Sequence, residues 1–228
     1  MARPEFMPKA VLFDLDGTLV DTAPDLVGTL MALRAARGLD EMEESALRPM
    51  ATRGALGLLE AGFGHEPGYE AADLREEFLS HYAANIWVRS CVFDGIEHLL
   101  KQLQQQGLGL GIVTNKVEAL AVPVVEKAGW ADLFACLIAG DTISRSKPDP
   151  APVLEACRRL NLAPEEVMFV GDDPRDVEAG RGAGVMTVVA SWGYLPAGDD
   201  ASGWGADVVI NHPSEVLTLL RTEDRCST

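Results

Sequence analysis

Two aspartates close together give the first chemical signal of this sequence. Asp14 and Asp16 follow a short apolar run, Ala10–Phe13, which ends abruptly in charge. A carboxylate at Asp14 is suited to attack phosphorus and form an aspartyl-phosphate. A carboxyl at Asp16 is suited to protonate the leaving oxygen and then to activate water. An Asp followed by Gly17 is also ordinary turn chemistry, so the assignment of a nucleophile and an acid/base depends on accompanying elements.

Oxygen ligands for a cation are present in the same sequence. Asp14, the carbonyl oxygen of Asp16 and Asp172 would supply hard oxygen ligands, which Mg²⁺ prefers. Such a cation neutralises both carboxylate and phosphate, so that one anion is able to attack another. Gly17 permits a tight turn in which backbone N–H groups approach phosphate oxygens, and Thr18 is suited to cap that turn. The predicted cofactor is Mg²⁺.

Two later segments add groups that bind phosphate. Thr114 and Asn115 follow an apolar strand and are predicted to hydrogen-bond a phosphoryl group; helix N-capping is the alternative. Lys147 is predicted to bind phosphate and to balance the acidic residues, in a segment stiffened by Pro148 and Pro150. The same prolines are also typical of a helix start.

Three carboxylates crowd one further turn, at Asp172, Asp173 and Asp176. Their mutual repulsion is costly without a cation. The alternative is a solvated turn leading into a helix, whose first turn favours acids. We expect Asp172 to bind the metal, and Asp173 and Asp176 to orient water or Lys147.

Strands that alternate with helices must position these residues. The predicted strands cover residues 10–13, 110–113, 136–139, 167–170, 187–189 and 208–210. The predicted helices cover residues 24–37, 41–62, 70–87, 95–106, 118–128, 150–160, 176–183 and 214–220. We expect Thr22 or Asp21 to cap the first helix. The alternation predicts right-handed βαβ units and a parallel sheet, whose carboxyl edge gathers the polar residues named above.

The predicted fold class is α/β, a Rossmann-like parallel sheet flanked by helices. Residues 22–90 carry no strand signal, which predicts a small all-helical cap inserted after the first strand. The catalytic core is then formed by residues 7–21 and 91–228. Residues 1–6 precede a second methionine and are interpreted as an expression leader.

Composition excludes several classes of function. The chain has 228 residues and a formal net charge of −16, which disfavours nucleic acid and anionic membranes as partners. It contains no apolar run of the ~18 residues that a transmembrane helix needs. The four cysteines are scattered without a CxxC pair, and we expect reduced thiols in the cytoplasm. The expected partner is a small phosphorylated metabolite, and the expected oligomeric state is a monomer or a homodimer.

These motifs, in this order, resemble the haloacid dehalogenase superfamily. The resemblance covers residues 9–220 and rests on Asp14-x-Asp16-Gly-Thr, Thr114, Lys147 and the acidic turn that begins at Asp172. It implies that Asp14 is the nucleophile and Asp16 the general acid/base. It also implies that Thr114 and Lys147 bind the phosphoryl group, that Asp172 completes a Mg²⁺ site, and that residues 22–90 resemble the family's mobile helical cap. Asp16 favours a phosphatase, because the dehalogenases of the superfamily do not carry this acid.

The resemblance extends to particular phosphatases. The segments 113–116 and 146–150 look like the phosphoglycolate phosphatase group, which implies 2-phosphoglycolate as one candidate substrate. The segment 171–180, Gly193-Tyr194 and the segment 204–213 are similar to N-acetylmuramic acid 6-phosphate phosphatases, which implies that sugar phosphate as the favoured substrate. The chain departs from the group at Phe93-Asp94-Gly95, where a proline is usual before the glycine. A sugar phosphomutase and a non-catalytic phospholigand-binding protein remain alternatives.

Substrate choice is expected to lie in the cap. Arg53 and Gly54 stand in a segment interrupted by glycines, which we expect to dip into the site and to place Arg53 on a substrate carboxylate. Both candidate substrates carry a carboxylate, so this contact does not discriminate between them. A solvated helix arginine is the alternative.

Overall fold

A computed structural model describes residues 7–70, 72–195 and 201–220 of the chain. Residues 1–6, interpreted above as a leader, and Cys226 lie outside the described residues. Across the described part, no helix combines the length and the apolar character that a membrane crossing requires.

A parallel sheet forms the centre of the molecule and confirms the α/β prediction. Its six strands lie in the order β5-β4-β1-β6-β7-β8. They are β1 Ala10–Phe13, β4 Gly109–Val113, β5 Cys136–Ile138, β6 Val167–Gly171, β7 Met186–Ala190 and β8 Val208–Ile210. All neighbouring pairs in this sheet run parallel. The fully buried strand β1 lies between β4 and β6, where the chain changes its direction of travel across the sheet.

Helices cover both faces of this sheet. They are α5 Ile96–Gln105, α6 Glu118–Lys127, α7 Ala151–Leu160, α8 Pro174–Ala183 and α9 Glu215–Leu219. Side chains alternate along β1. Val11 and Phe13 pack in one cluster with residues of α5, α6 and α9. Ala10 and Leu12 pack in another with residues of α7 and α8. A buried strand with two apolar faces is what the run Ala10–Phe13 predicts.

Within residues 22–90, where the sequence predicts the cap, the described part of the chain contains four α-helices with a hydrophobic cluster among them. The helices are α1 Ala23–Ala35, α2 Glu44–Leu47, α3 Gly54–Phe63 and α4 Arg75–Ala84. Leu30, Phe63, Phe78 and Tyr82 are buried together among them. The cluster also includes Leu120 of α6 and Tyr194, so the apolar interior of the helical segment packs against the α/β part of the chain.

Two of the predicted helices in this segment have the wrong extent. The continuous helix over 41–62 is replaced by α2, a 3₁₀ turn over Arg48–Arg53 and α3. Pro49 lies in that turn, and Gly54 has a left-handed φ of 64°, which interrupts regular α-helical geometry. The helix over 70–87 is limited to α4, and Trp87 has a positive φ.

A short antiparallel pair of strands joins the two ends of the helical segment. Val20–Asp21 (β2) pairs with Cys91–Val92 (β3), and neither strand is among the sequence predictions. The buried carboxylate of Asp25 also accepts hydrogen bonds from the backbone N–H groups of residues 88–90. These contacts hold the entry and the exit of the segment side by side.

The expected cap of helix α1 is also corrected by the structure. Neither Thr22 nor Asp21 caps the helix with its side chain, because the Thr22 hydroxyl instead donates to Asp16 Oδ1 at 2.5 Å. The hydroxyl of Tyr194 accepts hydrogen bonds from the N–H groups of Thr22 and Ala23, at 2.7 and 2.9 Å. A distant tyrosine thus satisfies the first N–H groups of the helix.

Candidate active site

Three neighbouring strands deliver polar residues to one cleft. Asp14 follows β1, Thr114 follows β4 and Asp172 follows β6, and all three line the cleft. The backbone N–H of Asp14 donates to Val170 at 2.9 Å, and that of Thr114 donates to Ile138 at 2.9 Å, so the hydrogen-bonded ladder continues to these positions. Ligands of open α/β sheets bind at this edge, beside the strand where the order reverses.

Lys147 lies at the centre of the acidic residues. Its ammonium is 2.9 Å from Asp14 Oδ1 and 2.7 Å from Asp176 Oδ1, and it donates to the carbonyl of Val113 at 2.8 Å. Its side chain is only 3 % exposed. Burial lowers the pKa of Lys147, but Asp14 and Asp176 outweigh burial and raise that pKa above its ordinary value. Lys147 is therefore a permanent cation beside the expected nucleophile.

Asn115 holds the backbone of Lys147 in place. Its amide nitrogen donates to the Lys147 carbonyl, and its amide oxygen accepts from the Lys147 N–H, each at 2.9 Å. Asn115 also lines the cleft. The side chain that the sequence assigns to phosphate thus positions the lysine in this structure. Thr114 is buried, and its hydroxyl accepts from the N–H of Lys116.

Three carboxylates form a group fitted to a hard cation. Oxygens of Asp14, Asp172 and Asp176 all lie within 4.8 Å of one another. Burial raises the pKa of Asp172 well above its ordinary value, and the charges of Asp14 and Asp176 raise that pKa further. Among the described residues Asp172 has no cationic partner, and its oxygens accept only from Thr18 Oγ1 at 2.8 Å and Tyr194 N–H at 2.9 Å. A divalent cation is the partner that such an oxygen set favours.

Two glycines make room for Asp172. Gly17 has a left-handed φ of 85°, and a Cβ at this position would overlap the Asp172 carboxylate. Gly193 is packed against the same side chain with no space for a Cβ. Glycine at position 17 therefore serves two purposes: it permits the left-handed turn, and it leaves space for the expected metal ligand Asp172.

Asp16 lies apart from the carboxylate group. Its two oxygens are 3.0 and 3.2 Å from the ammonium of Lys116, and Thr22 donates to one of them. Its side chain therefore does not join Asp14, Asp172 and Asp176, in keeping with a role in proton transfer. Sequence reasoning missed Lys116, although a lysine directly after Thr114-Asn115 at the sheet edge was the available signal.

The remaining acidic residue, Asp173, is held by a different cation. Its carboxylate lies 2.7 Å from Arg175 Nε and accepts the backbone N–H of Arg175 at 2.8 Å, as the N-cap of α8. Asp176 completes the capping box through the N–H of Asp173. Of the two acids expected to orient water or Lys147, the structure brings Asp176 to the lysine and pairs Asp173 with Arg175.

The cap segment closes one side of the cleft. Tyr82 of α4 accepts a hydrogen bond from Lys116 at 3.0 Å, and Arg175 donates to the carbonyl of Thr52. Arg53 and Gly54 also line the cleft, as the sequence predicts for a segment that dips into the site. Arg53 is 58 % exposed and is paired with Glu60 at 2.7 Å. Sequence reasoning gave no signal for Tyr82 or for the contact of Arg175.

Comparison with known proteins identifies the family to which this chain belongs. The sequence model of the haloacid dehalogenase-like hydrolases matches residues 8–184. The chain belongs to the haloacid dehalogenase-like hydrolases. This finding confirms the resemblance and the fold that the four motifs imply.

Individual members of the haloacid dehalogenase-like hydrolases resemble the chain over nearly its whole length. The N-acetylmuramic acid 6-phosphate phosphatase of Pseudomonas aeruginosa is 43% identical over 213 residues, which are 93% of this chain and 94% of that protein. The phosphoglycolate phosphatase of Xanthomonas campestris pv. campestris is 42% identical over 209 residues, 92% of this chain and 95% of that protein.

A solved crystal structure has a similar fold. The crystal structure of a predicted phosphoglycolate phosphatase from Haemophilus somnus aligns with a TM-score of 0.84 and 26% identity. The alignment covers 93% of this chain and 97% of that one. This haloacid dehalogenase-like hydrolase is a phosphoric monoester hydrolase.

Proposed function

We propose that this chain is a Mg²⁺-dependent phosphatase of a small phosphomonoester, which acts through an aspartyl-phosphate at Asp14. The observation that carries the proposal is the grouping of Asp14 with Lys147 at 2.9 Å and with the buried carboxylates of Asp172 and Asp176. A carboxylate held beside a permanent cation and a set of metal ligands is arranged to meet a phosphate.

In the first half of the reaction, Asp14 attacks phosphorus and the ester P–O bond breaks. Asp16 gives its proton to the leaving oxygen, and the alcohol departs. Lys147 and Thr114 bind the phosphoryl oxygens, and Asn115 keeps Lys147 in place through its backbone. When bound, Mg²⁺ neutralises the negative charges that meet at the phosphate, with Asp14, Asp172 and Asp176 as its available carboxylate ligands.

In the second half, water attacks phosphorus and the bond to Asp14 breaks. Asp16 takes up the proton of that water, inorganic phosphate leaves, and Asp16 is again ready to donate. Lys116 and Thr22 hold the Asp16 carboxylate between these two proton transfers. The cap contacts of Tyr82 and Thr52 cover the cleft, which limits access of bulk water.

The proposed substrate is N-acetylmuramic acid 6-phosphate. The cleft has a cavity volume of about 220 Å³. Much of its cap side is apolar, formed by Ala51, Ala55, Leu56, Phe78 and Leu79. Methyl groups of a sugar with N-acetyl and lactyl substituents suit that wall, whereas 2-phosphoglycolate offers no methyl group to it. The relative from Pseudomonas aeruginosa, 43% identical, carries this substrate in its name.

The second candidate is 2-phosphoglycolate, which is supported by the relative from Xanthomonas campestris at 42% identity. The two identities are too close to choose between the substrates, so the choice above relies on the apolar wall. A cytoplasmic location belongs to the same proposal, in keeping with the free thiols of Cys91, Cys136 and Cys157.

The test is phosphate release from N-acetylmuramic acid 6-phosphate and from 2-phosphoglycolate, each with and without Mg²⁺. We expect Mg²⁺-dependent release with a clear preference for the sugar phosphate, and none from a folded Asp14→Asn variant. A preference for 2-phosphoglycolate would establish the second candidate. Sugar-phosphate isomers formed without net phosphate release would indicate a mutase, and full activity of Asp14→Asn would contradict the nucleophile.

A further inference from the structure

The cations that line the cleft are almost all engaged by anions. Lys116 is paired with Asp16, and Lys147 with Asp14 and Asp176. The remaining pairs are Arg175 with Asp173 and Arg53 with Glu60. Arg75 also lines the cleft, and among the described residues its guanidinium has neither an ion-pair nor a hydrogen-bond partner.

Arg75 belongs to one face of helix α4. The residues of this helix that line the cleft are Arg75, Phe78, Leu79 and Tyr82. Their spacing of three, four and seven residues from Arg75 places all four on the same side of an α-helix. Phe78 and Leu79 form part of the apolar wall, and the two polar residues stand at its ends. The charge of Arg75 therefore faces the same part of the cleft as the apolar wall.

The two ends of this face lie well apart. Seven residues at ~1.5 Å each separate Tyr82 from Arg75 by ~10 Å along the helix axis. Tyr82 contacts Lys116, the partner of the general acid/base Asp16. Side chains of a helix also lean toward its N-terminus, which carries the guanidinium of Arg75 farther from the reaction centre. An anion bound by Arg75 is thus remote from the phosphate.

We propose that Arg75 binds a carboxylate at the far end of the substrate, so that the substrate class is a phosphomonoester whose carboxylate is well separated from its phosphate. This inference rests on the proposed phosphatase function. An arginine presents a planar fork that matches a carboxylate with two parallel hydrogen bonds. In this proposal Arg75, which has no partner among the described residues, binds the carboxylate that the sequence prediction assigns to Arg53, which is paired with Glu60.

Charge explains why a free arginine at this place matters. The chain carries a net charge of −16, which repels a substrate with two anionic groups. Lys147, together with a cation that the three carboxylates would hold, would compensate the phosphate end only. Arg75 compensates the other end, where its exposed guanidinium lies beside the apolar wall.

The test compares two sugar phosphates that differ only in the carboxylate arm. N-acetylmuramic acid 6-phosphate has a lactyl group on the sugar, and N-acetylglucosamine 6-phosphate lacks it. In Arg75→Gln, we expect kcat/KM for the lactyl substrate to fall about 10- to 100-fold, mainly through KM, as for a lost hydrogen bond to a charged group. The value for N-acetylglucosamine 6-phosphate is expected to stay within about 2-fold, and Arg75→Lys to retain an intermediate preference.

Two further variants make the test specific. Arg89→Gln removes an exposed cap arginine that pairs with Glu44 outside the cleft, and it serves as the matched charge control. Arg53→Gln tests the other unburied cleft arginine. An equal loss for both sugars in Arg75→Gln, no loss at all, or a carboxylate-selective loss in Arg53→Gln instead would overturn the proposal. Failure of the wild-type protein to release phosphate from either sugar would instead count against the proposed function.

Discussion

The ammonium of Lys116 lies 3.0 Å from the hydroxyl of Tyr82 and 4.5 Å from the centre of its ring. The same ammonium is 3.0 Å from Asp16 Oδ1. A residue at the end of a core strand thus joins the expected acid/base to a helix of the cap. Tyr82 is buried and the side chain of Lys116 is only 6 % exposed, so this link is made in a region of low dielectric, where charge interactions are strong.

The first prediction concerns the effect of Lys116 on Asp16. Lys116→Met is expected to lower kcat about 100-fold, because a misplaced acid/base forfeits much of the ~10²–10⁴-fold that proton transfer contributes. Since Lys116 acts through Asp16, the double variant Asp16→Asn/Lys116→Met should be no slower than Asp16→Asn. Steady-state kinetics on the preferred substrate checks this, with exposed Lys127→Met as control. Additive losses in the double variant would contradict the dependence on Asp16.

The second prediction concerns metal binding and needs no substrate. Mg²⁺ is expected to raise the melting temperature of the wild-type protein, by an amount equivalent to ~2.7 kcal/mol at 100 times its Kd. Asp172→Asn should lose this response. Burial raises the pKa of Asp172, so the neutral amide should leave the metal-free protein at least as stable as the wild type.

Thermal scans against Mg²⁺ concentration measure this response. Asp173→Asn is the matched control, because Asp173 pairs with Arg175 outside the carboxylate group and should keep the Mg²⁺ response. A full response in Asp172→Asn, or its loss in Asp173→Asn alone, would show that the metal ligands are assigned to the wrong acids.

The third prediction concerns the distant cap of helix α1. Tyr194→Phe leaves the N–H groups of Thr22 and Ala23 without their acceptor in a buried place, and should lower the free energy of unfolding by ~1–3 kcal/mol. Denaturant unfolding measures the change. Tyr69→Phe is the control, since the hydroxyl of Tyr69 makes no hydrogen bond within the described residues. Equal stability of the two variants would rule out the tyrosine cap.

The fourth prediction concerns thiol reactivity and its pH dependence. Burial raises the pKa values of Cys136 and Cys157 to about 11. At pH 8 only ~0.1% of each thiol would then be ionised, and the thiolate is the reactive form. Iodoacetamide should modify exposed Cys91 in the native protein and spare these two until unfolding or a pH near 11. Peptide mass mapping after timed labelling checks this, and rapid native labelling of Cys136 would contradict it.

Local sequence patterns were enough to predict the α/β fold of this molecule. The run Ala10–Phe13 with its abrupt aspartate predicts a buried strand, and the alternation of strands and helices predicts the parallel sheet and its carboxyl edge. These signals are short in range, because turn residues and apolar spacing act over a few neighbouring positions. The chemistry at that edge follows from the residue types of Asp14, Lys147 and Asp172.

Contacts between residues far apart in the sequence depend on tertiary packing, and local sequence patterns do not predict them. Lys116 and Asp16 are 100 positions apart, and Tyr194 caps a helix 172 positions away. Lys147 contacts Asp176, whereas Asp173 is paired with Arg175, whose guanidinium also donates to the carbonyl of Thr52, 123 positions away. Which side chains meet depends on how separate elements pack. The sequence alone therefore determined the α/β fold and led to the prediction of Asp14 as nucleophile, whereas tertiary packing determined which charged side chains pair with one another.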